Sequence, residues 1–288
     1  MKKVLVFGKG SYIGDSLARY AQGRLDITFT DARGDAWKRL DYSLFDSVVF
    51  VAGIAHQKQT KDNKDLYFAI NRDLAAAVAQ KAKDDGVGQF VYLSSMSVYG
   101  VKSGEITENT IPFPFANDYY GQSKLQAEKL LTGVSGDGFR VAVIRPPMVY
   151  GYGCKGKFQS LIKVAGKLPV LPTLVNKRSM INIDNLTELL TIVVEQGVFG
   201  VLCPQDREYI NTSDMLAAVV KAANKPCRPF PLLNLLIRAA LPISSSLQTA
   251  FGSLYYSPGA SKMPFEQEYQ VLGGAEAVSK SINPDGAM

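Results

Sequence analysis

The chain has 288 residues, 47% of them apolar and 20% charged, a balance that excludes disorder as the main state and allows one large domain or two modest ones. A formal charge of +6 is spread thinly, so no basic stripe for nucleic acid stands out. Cys154, Cys203 and Cys227 form no C-x-x-C pair and His56 is the single histidine, so no disulfide framework and no metal site are predicted; a reducing, cytoplasmic compartment is expected.

Lys3 to Gly8 reads as a first strand, its apolar run being too short for a signal peptide. It runs into Gly8-Lys9-Gly10-Ser11-Tyr12-Ile13-Gly14 and then a helix over Tyr12 to Gln22. A strand, a glycine turn and a helix in that order suit a dinucleotide: glycines let the backbone approach a pyrophosphate, whose charge sits against the helix N-terminus. The spacing here is G-x-G-x-x-x-G, one residue off the common G-x-G-x-x-G. A second strand, Asp26 to Thr30, ends on Asp31, placed to accept hydrogen bonds from an adenosine ribose and to repel a 2′-phosphate, which favours NAD. Arg33 could instead partner that phosphate, which keeps NADP open.

The stretch from Asp31 to the third strand, Val48 to Ala52, is too short for a full helix, so that crossover must be abbreviated. A helix is predicted over Leu66 to Asp84 and a buried strand over Phe90 to Ser94, whose carboxyl end delivers Ser94-Ser95-Met96-Ser97 to the crevice where such sheets bind ligands. Asn117 and Asp118 are capping candidates for a helix over Tyr119 to Leu131. Tyr120 and Lys124 share a face of that helix. An unperturbed phenol titrates near pH 10, and an adjacent ammonium is expected to bring it down toward neutrality, making the pair an acid/base unit.

After a fifth strand, Val141 to Arg145, the texture becomes loop-rich, with helices returning at Asp184 to Glu195 and, behind capping candidates Thr212 and Ser213, at Asp214 to Ala223. The alternation of strands and helices predicts an α/β fold, a doubly wound parallel Rossmann sheet with a smaller, discontinuous C-terminal substrate lobe. The expected division is 1–153 plus about 179–205 for the dinucleotide-binding domain, and about 154–178 with 206–288 for the lobe. Pro229 to Ser261 is nearly uncharged but broken by prolines, so it is no spanning helix; its Leu232, Leu233, Leu235, Leu236 and Ile237 are expected to bury their apolar side in the lobe rather than touch a membrane.

Taken together these residues resemble the extended short-chain dehydrogenases/reductases that modify nucleotide sugars, the NAD-dependent epimerases/dehydratases. The likeness is carried by Gly8 to Gly14, Asp31, Val51-Ala52-Gly53, Asn71, Leu93 to Gly100, Tyr120 to Lys124, Arg145 to Gly151 and Arg178 to Leu186. It implies that Tyr120 is the acid/base, that Lys124 holds the nicotinamide ribose, and that Ser95 binds the sugar hydroxyl being oxidised, with Ser94 and Ser97 as neighbours able to take that role. It also implies a cofactor cleft of Gly8, Gly10, Ser11, Tyr12, Ile13, Gly14, Asp31, Arg33, Ala52, Gly53 and Asn71. Ser97, Lys157 and Arg178 are expected on the substrate, Arg178 at its diphosphate, where a guanidinium binds two oxygens at once. Met96 and Ser97 replace the Asp-Glu pair of the family's dehydratases, which disfavours 4,6-dehydration. The implied activity is an NAD-dependent epimerisation at C4 of a nucleotide sugar, UDP-linked first of all. A 4-keto reductase using NAD(P)H and a non-catalytic dinucleotide-binding regulator or assembly subunit are the alternatives. A homodimer is expected by the same resemblance.

Overall fold

A computed structural model describes residues 1–55, 57–136, 138–165, 169–222 and 228–282; His56 and Cys227, singled out above, lie outside the described residues. In chain order β1 (Lys2–Phe7), α1 (Tyr12–Tyr20), β2 (Leu25–Thr30), α2 (Ala36–Arg39) and β3 (Ser47–Phe50) come first, with a 3₁₀ turn at Tyr42–Leu44. The four residues of α2 are the abbreviated crossover. Next come α3 (Lys64–Phe68), α4 (Ala75–Asp84), β4 (Gln89–Leu93), β5 (Gly104–Ile106), α5 (Tyr119–Val134), β6 (Arg140–Ile144) and β7 (Met148–Tyr150). The second half contributes α6 (Lys157–Ala165), β8 (Val170–Leu171), β9 (Met180–Asn182), α7 (Ile183–Gln196), β10 (Gly200–Leu202), α8 (Thr212–Ala222), β11 (Arg228–Pro229), α9 (Leu233–Ala240), α10 (Ser245–Phe251), β12 (Leu254–Tyr256) and α11 (Gly274–Ile282).

Six strands form one parallel sheet in the order β10-β6-β4-β3-β1-β2. Alternate side chains explain why it is covered on both faces. Val4, Val6, Val49 and Val91 pack with Leu17 of α1 and Leu186, Leu190 and Val193 of α7. Leu5, Phe7, Phe50, Phe90 and Tyr92 face the other way, onto Val78 and Ala82 of α4 and Ala127 and Leu131 of α5. Sequence periodicity did not signal β10: it is three residues long, at the sheet edge, with Val201 exposed.

Three further differences from the sequence expectation have physical causes. The helix expected over Leu66 to Asp84 is two helices around a π-turn at Ala69–Leu74, which turns Asn71 into the interior. The cap of α8 is Asn211, whose Oδ1 accepts from Ser213 N at 2.8 Å, while the Thr212 and Ser213 hydroxyls donate instead to Ala250 O and Leu174 O. Helix α9 does not bury its apolar side: Ile237 is buried, but Leu232, Leu235 and Leu236 face outward.

Outside the six-stranded sheet, two-stranded parallel pairs join β7 with β9, β8 with β11 and β5 with β12, and Tyr150, Phe158, Met180, Met215 and Leu272 form a separate core. Among the described residues no helix is long and apolar enough to cross a membrane.

Candidate active site

The glycine turn follows from its dihedrals. Gly8 has φ +142°, and a Cβ there would sit 2.6 Å from Val51 Cγ2; Gly10 has φ +74° with open space around it. Ser11, at φ −85°, needs no glycine, and its hydroxyl caps α1 by accepting from Gly14 N at 3.1 Å. The one-residue shift in spacing is thus absorbed: the left-handed position falls on Gly10 and the cap on Ser11. Gly14 is required by closeness, since a Cβ would lie 2.8 Å from Gly8 O. Ile13 packs into the core, and Tyr12 turns toward Gly151, where burial raises its phenol pKa and its hydroxyl has no partner.

At the end of β2, Asp31 and Arg33 pair with each other: Arg33 Nη2 and Nε donate to the carboxylate at 2.9 and 3.0 Å, and Arg33 N does so at 2.9 Å. These hydrogen bonds hold the Asp31 pKa below its ordinary value, so the end of the strand presents a carboxylate. Ala52 and Gly53 end β3's side of the cleft. A Cβ on Gly53 would lie 2.8 Å from Asn71 Oδ1 and 3.3 Å from Lys124 Nζ, so only glycine fits. Asn71 is fully buried; it accepts from Ile54 N at 2.9 Å and donates to Ile54 O and Ser123 Oγ, both at 3.1 Å, a brace rather than a helix cap.

Ser95, in the turn that follows β4, and Tyr120 and Lys124, in the first turns of α5, lie at the carboxyl end of β4. Ser95 caps a 3₁₀ turn at Met96–Tyr99 by accepting from Ser97 N at 3.1 Å. Asp118 caps α5, accepting from Gly121 N at 3.1 Å, and Gly121 lets that first turn approach the Ser97 carbonyl, where a Cβ would stand 2.8 Å away. Gln59 accepts from Tyr120 N at 3.1 Å. Lys124 is buried, donates to Leu93 O at 2.7 Å and lies 4.6 Å from the centre of the Tyr92 ring.

The protonation pattern differs from the expected one. Burial pushes Tyr120 up to about 12, opposed by a hydrogen bond with the Ser95 hydroxyl, instead of an ammonium bringing it down. Burial brings Lys124 down to about 7, opposed by the Glu128 carboxylate. The reason is geometric: the Lys124 amine is anchored on Leu93 O and over Tyr92.

Sequence reading missed the layer beneath. Ser94 donates to Glu128, which receives Arg145 Nη2 at 2.6 Å; Arg145 Nη1 donates to Tyr99 Oη at 2.9 Å. This engages Ser94 away from any ligand and leaves Ser95 and Ser97 at the cleft. Tyr92 Oη donates to Asn71 O at 2.7 Å. Glu128 stands one turn beyond Lys124 on the same helix face, a signal that was readable. Arg178 lies elsewhere, in the smaller lobe, donating to Gly252 O at 2.8 Å, with its buried Nε unpartnered. The Lys157 side chain lies outside the described residues, though its backbone opens α6.

The residues at the carboxyl edge of the sheet fit an NAD(P) cofactor: a turn that a Cβ would fill, a carboxylate at the end of β2, and an amine under Gly53. Such a fold defines a dinucleotide-dependent enzyme class. The model of the NAD dependent epimerase/dehydratase family matches residues 4–202, and the chain belongs to that family. It is 31% identical over 241 residues to a UDP-glucose 4-epimerase of Vibrio cholerae, covering 78% of this chain and 72% of that protein. It is 26% identical to an N-acetyl-alpha-D-glucosaminyl-diphospho-ditrans,octacis-undecaprenol 4-epimerase of Escherichia coli O157:H7, covering 80% and 76%. Its fold matches a dTDP-4-dehydrorhamnose reductase of Bacillus anthracis in complex with NADP, with a TM-score of 0.71 at 16% identity over 99% and 100% of the two chains. The protein is therefore an NAD-dependent epimerase/dehydratase-type enzyme of the extended short-chain dehydrogenase/reductase class.

Proposed function

We propose that the protein epimerises a sugar carried on a diphosphate at its C4 carbon, with a UDP-hexose as substrate and NAD as resident cofactor. The reading is supported by the placement of Ser95, Tyr120 and Lys124 at the carboxyl end of β4, with the Lys124 amine beside Gly53. When bound, NAD supplies reversible hydride acceptance next to the sugar carbon. Tyr120 takes the proton of the sugar hydroxyl and returns it after the sugar has turned over. Ser95, on the turn that follows β4, orients that hydroxyl. Lys124, its amine anchored beside Gly53, holds the ribose. Asp31 selects NAD because Arg33 is occupied on its carboxylate. Arg178, buried with a free Nε–H, binds the diphosphate from the lobe made of about 154–178 and 206–288.

The test is turnover of UDP-glucose and UDP-galactose by purified protein. Interconversion without net change in NADH is expected, and Tyr120→Phe should lower kcat by at least about a hundredfold. Unchanged turnover in Tyr120→Phe defeats the catalytic assignment. Stoichiometric oxidation of added NADPH on a 4-keto sugar, with no interconversion, reassigns the protein as a reductase.

A further inference from the structure

Helix α9 is anchored from one side only. Ile237 is buried, and Asn234 exchanges two hydrogen bonds with Thr173, accepting from its N and donating to its Oγ1, each at 2.9 Å. The opposite side carries Leu232, Leu235, Leu236 and Ala239, spaced three, four and seven residues from the first, so they share one stripe. Leu235 and Leu236 are 65% and 68% exposed, and Ile243 in the turn that follows is 86% exposed. A second loop, hydrogen-bonded to α9 through Thr173, adds Val175, 80% exposed. A contiguous outward apolar surface of this kind marks a contact with something apolar.

Charge decides among the candidates. From Met215 to Phe265 the chain has no Asp or Glu, while Lys221, Lys225, Arg228, Arg238 and Lys262 fall in that stretch. Arg228 and Arg238 are exposed, one before α9 and one in its last turn. Apolar side chains flanked by more cations than anions, with Asp214 and Lys221 together in the cavity beside Val175, match an anionic bilayer, whose headgroups attract the cations while the leucines enter the acyl boundary. A second copy of the same face would oppose cation to cation.

We propose that α9 and the loop at Val175 dock the smaller lobe onto the surface of an anionic membrane. This goes beyond the catalytic reading and does not depend on it. The test is co-sedimentation of the full chain with phosphatidylglycerol-containing vesicles and with pure phosphatidylcholine vesicles. Binding to the anionic vesicles, weakened by salt, is expected, and Leu235→Asp with Leu236→Asp should lower the partition coefficient at least about tenfold. Arg238→Gln should lower it about fivefold at low salt and much less at high salt. All three positions are exposed, so an unchanged thermal midpoint separates lost docking from lost folding. No binding to anionic vesicles, or binding that both variants retain, overturns the proposal. So does a wild-type dimer in sedimentation that the double variant reduces to a monomer without any vesicle binding.

Discussion

The carboxyl end of the sheet and the outer face of α9 treat charged and apolar side chains in opposite ways. At the carboxyl end of the sheet, charged side chains are buried and paired: Glu128 and Arg145 meet at 2.6 Å with side chains 5% and 11% exposed, directly behind Ser94. In the smaller lobe the charged pair Arg207–Glu268 is exposed and the leucines of α9 stand in solvent. The first region is a fixed scaffold in which each buried charge is answered, which is what positioning of reacting groups requires. The second leaves surfaces for other molecules to complete.

Breaking the two ion pairs sharpens this contrast most. Arg145→Met leaves Glu128 buried without its cation and should cost about 3–5 kcal/mol, read as a shift of the urea midpoint. Adding Glu128→Leu should recover part of that loss, because the stranded charge goes with it. Removing Arg207 by alanine should cost below about 1 kcal/mol, since solvent screens that pair. Equal losses from the two single variants would erase the distinction between the two regions.

The next effect is a pH dependence confined to the scaffold. Lys124 has its pKa lowered from 10.5 to about 7, so the penalty for burying its charge is full below pH 7 and disappears as pH rises toward 10.5. The unfolding free energy of wild type should therefore gain on that of Lys124→Met by about 1.4 kcal/mol per pH unit across this window. Tyr120, raised from 10.0 to about 12, acts with the opposite sign only above pH 10, where its contribution is lost as pH rises. A difference between the two proteins that is flat from pH 7 to 10 would mean the amine is not buried as described.

These buried groups also mark where sequence reading stopped. Five of the six sheet strands were legible: four are nearly continuous apolar runs covered on both faces, as in Val48 and Val49, and the edge strand β2 alternates apolar and polar residues. The cleft residues were legible because glycine, capping and helix-face rules act over a few positions: Gly8 to Gly14, Ser95, and Tyr120 with Lys124. The Asn71 π-turn was not, because its brace partners, Ile54 and Ser123, are distant in sequence. The direction of the Tyr120 shift was misjudged because helix spacing places Lys124 near it but says nothing of the Leu93 carbonyl that takes up the amine. For α9 the periodicity was right and the facing wrong: amphipathic spacing shows that one side is apolar, and only tertiary context says which way it points.

At the rim of the scaffold, where Asp31 and Arg33 are exposed, the expected effect is smaller and concerns choice of cofactor. Asp31→Asn removes the charge-assisted acceptor for a ribose hydroxyl and frees Arg33, so NADH binding should weaken about tenfold and NADPH binding should tighten. Fluorescence titration with both cofactors checks this. An unchanged preference would show that the carboxylate is engaged by Arg33 alone and takes no part in selection.

The smallest effect lies within the glycine turn itself and separates two reasons for being glycine. At Gly10 an added Cβ meets nothing within 4 Å, so Gly10→Ala carries only the cost of a left-handed backbone at φ +74°, about 1 kcal/mol. At Gly8 the same change adds a collision, 2.6 Å to Val51 Cγ2, and Val51 lies in the packed core beside Val6 and Val49, where neighbours give little. Gly8→Ala should therefore destabilise more than Gly10→Ala in thermal unfolding. Gly10→Ala should instead show itself mainly in weaker NADH binding, because its new methyl projects into the open side of the turn. Should the two variants unfold alike, the close approach of the turn to β3 is looser than its geometry requires, and the support it lends to a bound pyrophosphate is correspondingly less.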